Sequence, residues 1–215
     1  MKGRETIAFV VLICVVALAV QWYQAREQAA QKVAAVQNAT AERSRLTALV
    51  GALETPLHLD AQEKVSACVM QGALPDHACT PGSVFLGTPV ATICESGYTQ
   101  KVRNVSTSLK KKIYTNYGIA YPEPKGSYEL DHLVPLELGG DNSIANLFPE
   151  AASPTPGFHE KDVVENYLHE SVCSGSISLA SAQEQIADNW VAVYDLLSSS
   201  TIERLKAKYS NWSTN

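Results

Sequence analysis

The sequence predicts an α+β domain carried behind an apolar N-terminal helix and a helical stalk. Three observations lead there. Residues 6–20 contain no charge, proline or glycine. Residues 24–53 are rich in Ala, Gln and charged side chains and contain no proline. Beyond Pro56, loops punctuated by Pro, Gly and Cys separate one stretch of strand periodicity from several of helical periodicity. At 215 residues the chain has room for one full domain and an appendage. With 46% hydrophobic and 18% charged residues, 12 Gly and 10 Pro, a collagen-like, low-complexity or wholly disordered chain is excluded.

The first element is the apolar run Ile7–Val20, 14 residues, or 17 if it extends through Tyr23. A membrane-spanning helix needs roughly 17 to 25 residues and a signal-peptide core roughly 7 to 15, so both readings fit by length. Ala17-Leu18-Ala19 offers a cleavage site of the small-residue type, whereas Trp22 and Tyr23 sit where an interfacial aromatic belt anchors a helix. Residues 1–23 are therefore expected to form an uncleaved signal-anchor, a transmembrane helix tying the chain to a membrane. Cleavage would release a secreted form instead. Lys2 and Arg4 place the N-terminus inside and the bulk of the chain across the membrane, periplasmic or extracellular.

Cysteine usage points the same way. Cys14 lies within the apolar run, leaving Cys68, Cys79, Cys94 and Cys173, an even number with no C-x-x-C pair. Two disulfides in an oxidising compartment are expected, with three connectivities open.

Residues 24–55 read as a helical stalk, with Val33, Val36, Leu46, Leu49 and Val50 forming a stripe too irregular for a heptad seam. Asn38-Ala39-Thr40 matches a glycosylation acceptor. Residues 56–215 are the domain. Pro75–Pro89 reads as a disulfide-pinned loop, and Val105–Tyr117 as a helix stopped by Gly118. Tyr128–Leu136 reads as a strand with Leu130 and His132 on one face and Asp131 and Leu133 on the other. His159–His169 is helical, and Ser178 caps a helix through Leu197 in which Ile186, Trp190 and Val193 keep helical spacing. A short amphipathic helix follows Ser198–Ser200.

The chemistry lies in Glu129-Leu130-Asp131-His132-Leu133-Val134-Pro135-Leu136-Glu137-Leu138-Gly139-Gly140-Asp141-Asn142, followed by Asn146-Leu147 and a helix bearing His159. Adjacent strand residues point to opposite faces. That suits a carboxylate holding a metal while the neighbouring imidazole activates a water. Glu137 reads as solvated, and His169 as an ordinary surface or core residue.

This pattern, Asp-His-x-x-Pro-Leu-x-x-Gly-Gly, then Asn-Leu, then a helix with His, resembles the HNH endonucleases of the ββα-metal fold. Cys79-Thr80-Pro81-Gly82 and Cys94-Glu95-Ser96-Gly97-Tyr98 resemble exported bacterial proteins carrying the same motif. The likeness covers roughly Cys79 to Trp190, with a motif core at 128–172. It implies Asp131 as metal ligand and His132 as general base. Asn146 would support the catalytic loop or the metal shell, and His159 would be the helix ligand. The position one helical turn beyond His159 is Val163, a departure for which Glu160 or Asp162 would have to compensate. The family's zinc-knuckle cysteines are absent, and disulfides are expected to replace that staple. The implied cofactor is a divalent ion, Mg²⁺ first, then Zn²⁺, Mn²⁺ or Ni²⁺.

Charge divides the expectation. Ser96–Pro122 carries Lys101, Arg103, Lys110, Lys111 and Lys112 with no acidic residue, a candidate nucleic-acid surface for DNA before RNA. Yet the domain beyond Pro56 has 11 basic against 18 acidic residues within a chain of net charge -5, which opposes a polyanion. The first expectation is a metal-dependent HNH-type endonuclease outside the cytoplasm. Its rival is a noncatalytic cell-envelope binding or scaffolding module on a degenerate HNH fold. An open position beside His132 fits the first, a closed one the second.

Overall fold

The computed structural model describes residues 18, 20–40 and 57–210. The chain divides into two compact units, Met1–Glu54 and Thr55–Asn215.

In the first unit, residues 20–40 form helix α1. Its Val33 and Val36 are exposed, and Arg26 lies over the Trp22 ring at 4.8 Å. Here the expectation of a transmembrane helix is corrected. Among the described residues, no helix is long and apolar enough to cross a membrane. The described part of α1 begins where the apolar run ends, and Ile7–Val20, apart from Leu18 and Val20, lies outside the described residues. So do stalk residues 41–55.

The second unit is α+β. Two short helices, α2 (Val90–Ile93) and α3 (Tyr98–Val102), precede α4 (Thr107–Asn116). Strand β1 (Tyr128–His132) pairs antiparallel with β2 (Leu147–Ala151), His132 opposite Leu147 and Tyr128 opposite Ala151. Then come α5 (Phe158–Cys173), α6 (Leu179–Leu196) and α7 (Ser199–Lys208). β1 is shorter than the expected Tyr128–Leu136, because Pro135 has no N–H for a ladder and a 3₁₀ turn takes Leu136–Leu138. Ser106, Ser178 and Ser198 cap α4, α6 and α7 by accepting backbone N–H groups three residues on. α6 kinks at Asn189, whose carboxamide oxygen accepts the Ala192 N–H and so restarts the helix.

The core forms where α5 and α6 cover the hairpin and the 3₁₀ turn: Leu133, Val134, Phe148, Val164, Leu168, Ile186 and Trp190 are all fully buried. Two disulfides pin the flanks, Cys68–Cys79 and Cys94–Cys173, the second tying the end of α2 to the end of α5. All four candidate cysteines are thus paired, which fits an oxidising environment.

Candidate functional site

The site grows from the end of β1. Leu133 N–H donates to the Asn146 carbonyl at 2.7 Å, closing the 14-residue excursion between the strands. The wholly buried Asn146 side chain then knits the loop together. Its Oδ1 accepts Val134 N–H at 2.9 Å and Ser83 N–H at 3.2 Å, and its Nδ2 donates to the carbonyls of Val134 and Asp141, both at 2.9 Å. The double glycine has a steric reason: a Cβ on Gly140 would stand 1.7 Å from the Val134 carbonyl oxygen, and Gly139 has φ +77°.

His132 lies beside this clamp and is only 2% exposed. Its Nε2 is 3.2 Å from Asn142 Oδ1. Asn142 is oriented by its neighbours: Oδ1 also accepts Asn104 N–H at 3.1 Å, and Nδ2 donates to the Val102 carbonyl at 2.8 Å. The His132 contact is therefore Nε2–H donating, which leaves the lone pair on Nδ1. Burial first, then the Arg103 and Lys161 charges, push the imidazole down to about 4 against the pull of Asp131 and Asn142. It is neutral at pH 7.

Asp131 turns to the other face. Its Oδ1 accepts the His132 N–H at 2.8 Å and its Oδ2 accepts from the Lys161 ammonium at 2.7 Å. Burial works against ionisation, but Lys161 outweighs it and holds Asp131 at about 2. Lys161 is 0% exposed and spends its three N–H bonds on Asp131, on the His132 carbonyl at 2.8 Å and on Glu165. Glu150 on β2, also 0% exposed, lies against Asp131 with neither oxygen held by another described group. Burial raises Glu150 and Glu165 well above the carboxylate range. Burial likewise raises Glu137 to about 7. Glu137, expected to be solvated, is buried under the 3₁₀ turn.

The expected ligand set is not assembled. His159 is exposed on the first turn of α5, its ring 4.3 Å from that of Phe158. Glu160 accepts the Gly157 N–H as the helix cap and pairs with Lys206 at 3.5 Å. Asp162 is raised to about 7, by burial and then by the charges of Asp131 and Glu129. A divalent ion does not fit at Asp131, because both carboxylate oxygens are already engaged, one by a buried ammonium. Among the described residues, the group of three His, Cys, Asp or Glu whose ligating atoms converge is Cys94, His169 and Cys173. There the disulfide leaves no thiolate to bind a metal. His169 is half-buried, its Nε2 3.2 Å from the Ile93 carbonyl.

Of the basic candidates, Lys101, Arg103, Lys111 and Lys112 are exposed. Lys110 pairs with Glu123 at 3.0 Å and lies over the Tyr114 and Tyr121 rings. A cleft of about 860 Å³ opens between the start of α4 and the start of α5, lined among others by Ser106, Lys110, Lys125, Tyr128, Glu129 and His159.

Sequence reasoning missed Lys161, Glu165, Glu150 and Asn142. Lys161 and Glu165 left a signal: they share one helical stripe with Val164, Leu168 and Val172, so they are charges on an otherwise apolar face. Glu150 alternates with Phe148 and faces inward with it.

No protein-family model, curated protein or solved structure matches this chain.

Proposed function

We propose that residues 57–210 are a degenerate HNH-like ββα domain serving as a noncatalytic binding module in an oxidising compartment outside the cytoplasm. One observation carries this reading: the centre of the motif is closed. His132 is 2% exposed, and the cavity facing the hairpin and α5 is lined by His159 and Glu129 rather than by His132 or Asp131. A general base needs to reach the water it activates. The cleft instead offers Lys125, His159 and the Glu123-paired Lys110 to an anionic chain, nucleic acid being the first candidate.

A second reading, hydrolysis of DNA or RNA phosphodiester bonds with His132 as base, draws support from two features. The imidazole is neutral with a free Nδ1, and Asn146 clamps the loop that carries it.

The full chain incubated with plasmid DNA and with single-stranded RNA, in Mg²⁺, Mn²⁺, Zn²⁺ or Ni²⁺ in turn, distinguishes the two. The binding module leaves both polymers intact and retards a fluorescent oligonucleotide in anisotropy, an effect weakened by Lys125→Glu. Cleavage lost in His132→Ala establishes the second reading and overturns the first.

A further inference from the structure

We infer that the Lys161 ammonium is the resident cation of the hairpin–helix centre, standing where an HNH-type domain would hold a metal ion. The inference rests on this geometry and not on the binding-module reading.

The acceptors around Nζ are all oxygens, and they come from two elements, β1 and α5. Asp131 Oδ2 at 2.7 Å and the His132 carbonyl at 2.8 Å come from β1, and a Glu165 carboxyl comes from α5. Glu150 of β2 closes the group behind Asp131, fully buried and without another partner among the described residues. Carboxylates with a backbone carbonyl are the donor set that hard cations take. The separations to Asp131 and His132, however, belong to an ammonium: Mg²⁺ needs oxygens at about 2.0–2.1 Å and near-octahedral placement, and Ca²⁺ about 2.3–2.6 Å.

The chain itself selects that occupant. Lys161 and Glu165 are one turn apart on α5, so the ammonium is supplied by the same helix face that supplies one of its acceptors. Three N–H bonds meet three acceptors, and no donor is left over. With its side chain wholly buried, Lys161 cannot leave for solvent without opening the helix–hairpin contact. A divalent ion could enter only by displacing a covalently tethered cation.

Two consequences separate this from an ordinary buried ion pair. The wild-type centre takes up no divalent ion. Shortening Lys161 to Ala, by contrast, leaves an oxygen-lined vacancy with Asp131, Glu165, Glu150 and the His132 carbonyl around it. That vacancy accepts a hard divalent ion. Lys161→Met fills the same volume without charge and does not.

The experiment measures Mn²⁺ binding to the full chain by electron paramagnetic resonance, alongside melting with and without Mn²⁺. Wild type is expected to hold no tightly bound Mn²⁺ and to melt unchanged. Lys161→Ala is expected to bind one ion and to rise by roughly 5 to 8 °C at saturating Mn²⁺, while Lys161→Met does not respond. If Lys161→Ala does not fold alone, recovery of its native circular dichroism in Mn²⁺ supports the assignment, and failure to recover overturns it. One Mn²⁺ bound to wild type and lost in Asp131→Asn overturns it independently. So does a folded Lys161→Ala that ignores the ion.

Discussion

Lys161 and Glu165, one helical turn apart on α5, meet inside the domain rather than on its surface, with Asp131 as their third member. The three acids near Lys161 are not equivalent. Asp131 is held ionised at about 2, whereas burial keeps Glu165 and Glu150 well above the carboxylate range. Asp131 is thus the partner held ionised beside Lys161, while burial pushes the Glu165 and Glu150 carboxyls toward the neutral form. Removing one partner of a buried pair leaves an uncompensated charge, while replacing a carboxyl that burial pushes toward neutrality by an amide leaves less of one. Lys161→Met is expected to cost about 3 to 5 kcal/mol and Glu165→Gln less than about 1 kcal/mol, read from urea unfolding. Equal losses would show that Glu165 carries the charge.

Asn146 satisfies four backbone groups with one side chain in a fully buried place. Asn146→Ala leaves two N–H groups and two carbonyls without it. With a buried unsatisfied group costing about 1 to 3 kcal/mol, the variant should lose several kcal/mol and melt about 10 °C or more lower. Asn146→Asp keeps the acceptor and loses both donors, so it should fall between the two. A melting point unchanged in Asn146→Ala would refute the clamp.

Gly139 and Gly140 look alike in the sequence but differ in what they tolerate. Gly139→Ala meets only backbone strain at φ +77°, a cost of about 1 to 2 kcal/mol. Gly140→Ala drives a methyl to 1.7 Å from the Val134 carbonyl oxygen, and the loop cannot form. Expression and circular dichroism should recover the first variant folded and the second not.

These positions mark how much was readable in advance. The first strand was legible from its alternation, but its end was not, because Pro135 stops the ladder short of the expected Leu136; Asn146 stood out through the motif resemblance, and the double glycine as a loop. The helix capped by Ser178 was legible from its apolar spacing. β2 was not, because Leu147–Ala151 is short and contains Pro149 and Glu150, both poor strand formers. The ligand set was misplaced for a different reason. His159 was chosen by residue type, but the first turn of α5 turns it to solvent, and position 161 faces the hairpin instead. A charged residue on the apolar stripe was the better guide. Disulfide pairing depended on which segments meet in space, which no spacing encodes.

The two disulfides close loops of unlike length, with sequence separations of 11 and 79 residues. In the loop-entropy model these constrain the unfolded chain by about 3 and about 4.5 kcal/mol. Cys94→Ser with Cys173→Ser should therefore lower stability more than Cys68→Ser with Cys79→Ser. Differential scanning calorimetry of the two double variants checks the order, and a reversed order would point to native contacts of the 68–79 loop as the larger factor.

His132 gives the domain a pH dependence whose sign is fixed. Burial lowers the folded-state value to about 4 from an unfolded value of 6.5. Below pH 6.5 the unfolded chain takes up a proton that the folded chain refuses, so stability falls as pH drops, and the loss is complete near pH 4. Across that window one fully buried imidazole accounts for roughly 3 kcal/mol. Glu137 works oppositely: with its folded value near 7 against 4.5 unfolded, it lowers stability as pH rises from 4.5 to 7. Because the windows overlap, the wild-type profile mixes both slopes, and single variants are needed to expose them. His132→Gln should flatten the acid side, so that its deficit against wild type shrinks as pH falls from 6.5 to 4. Glu137→Gln should gain on wild type as pH rises from 4.5 to 7. Urea midpoints at half-unit pH steps measure both differences. A His132→Gln deficit that does not change with pH would mean that the imidazole protonates freely, and hence that water reaches it.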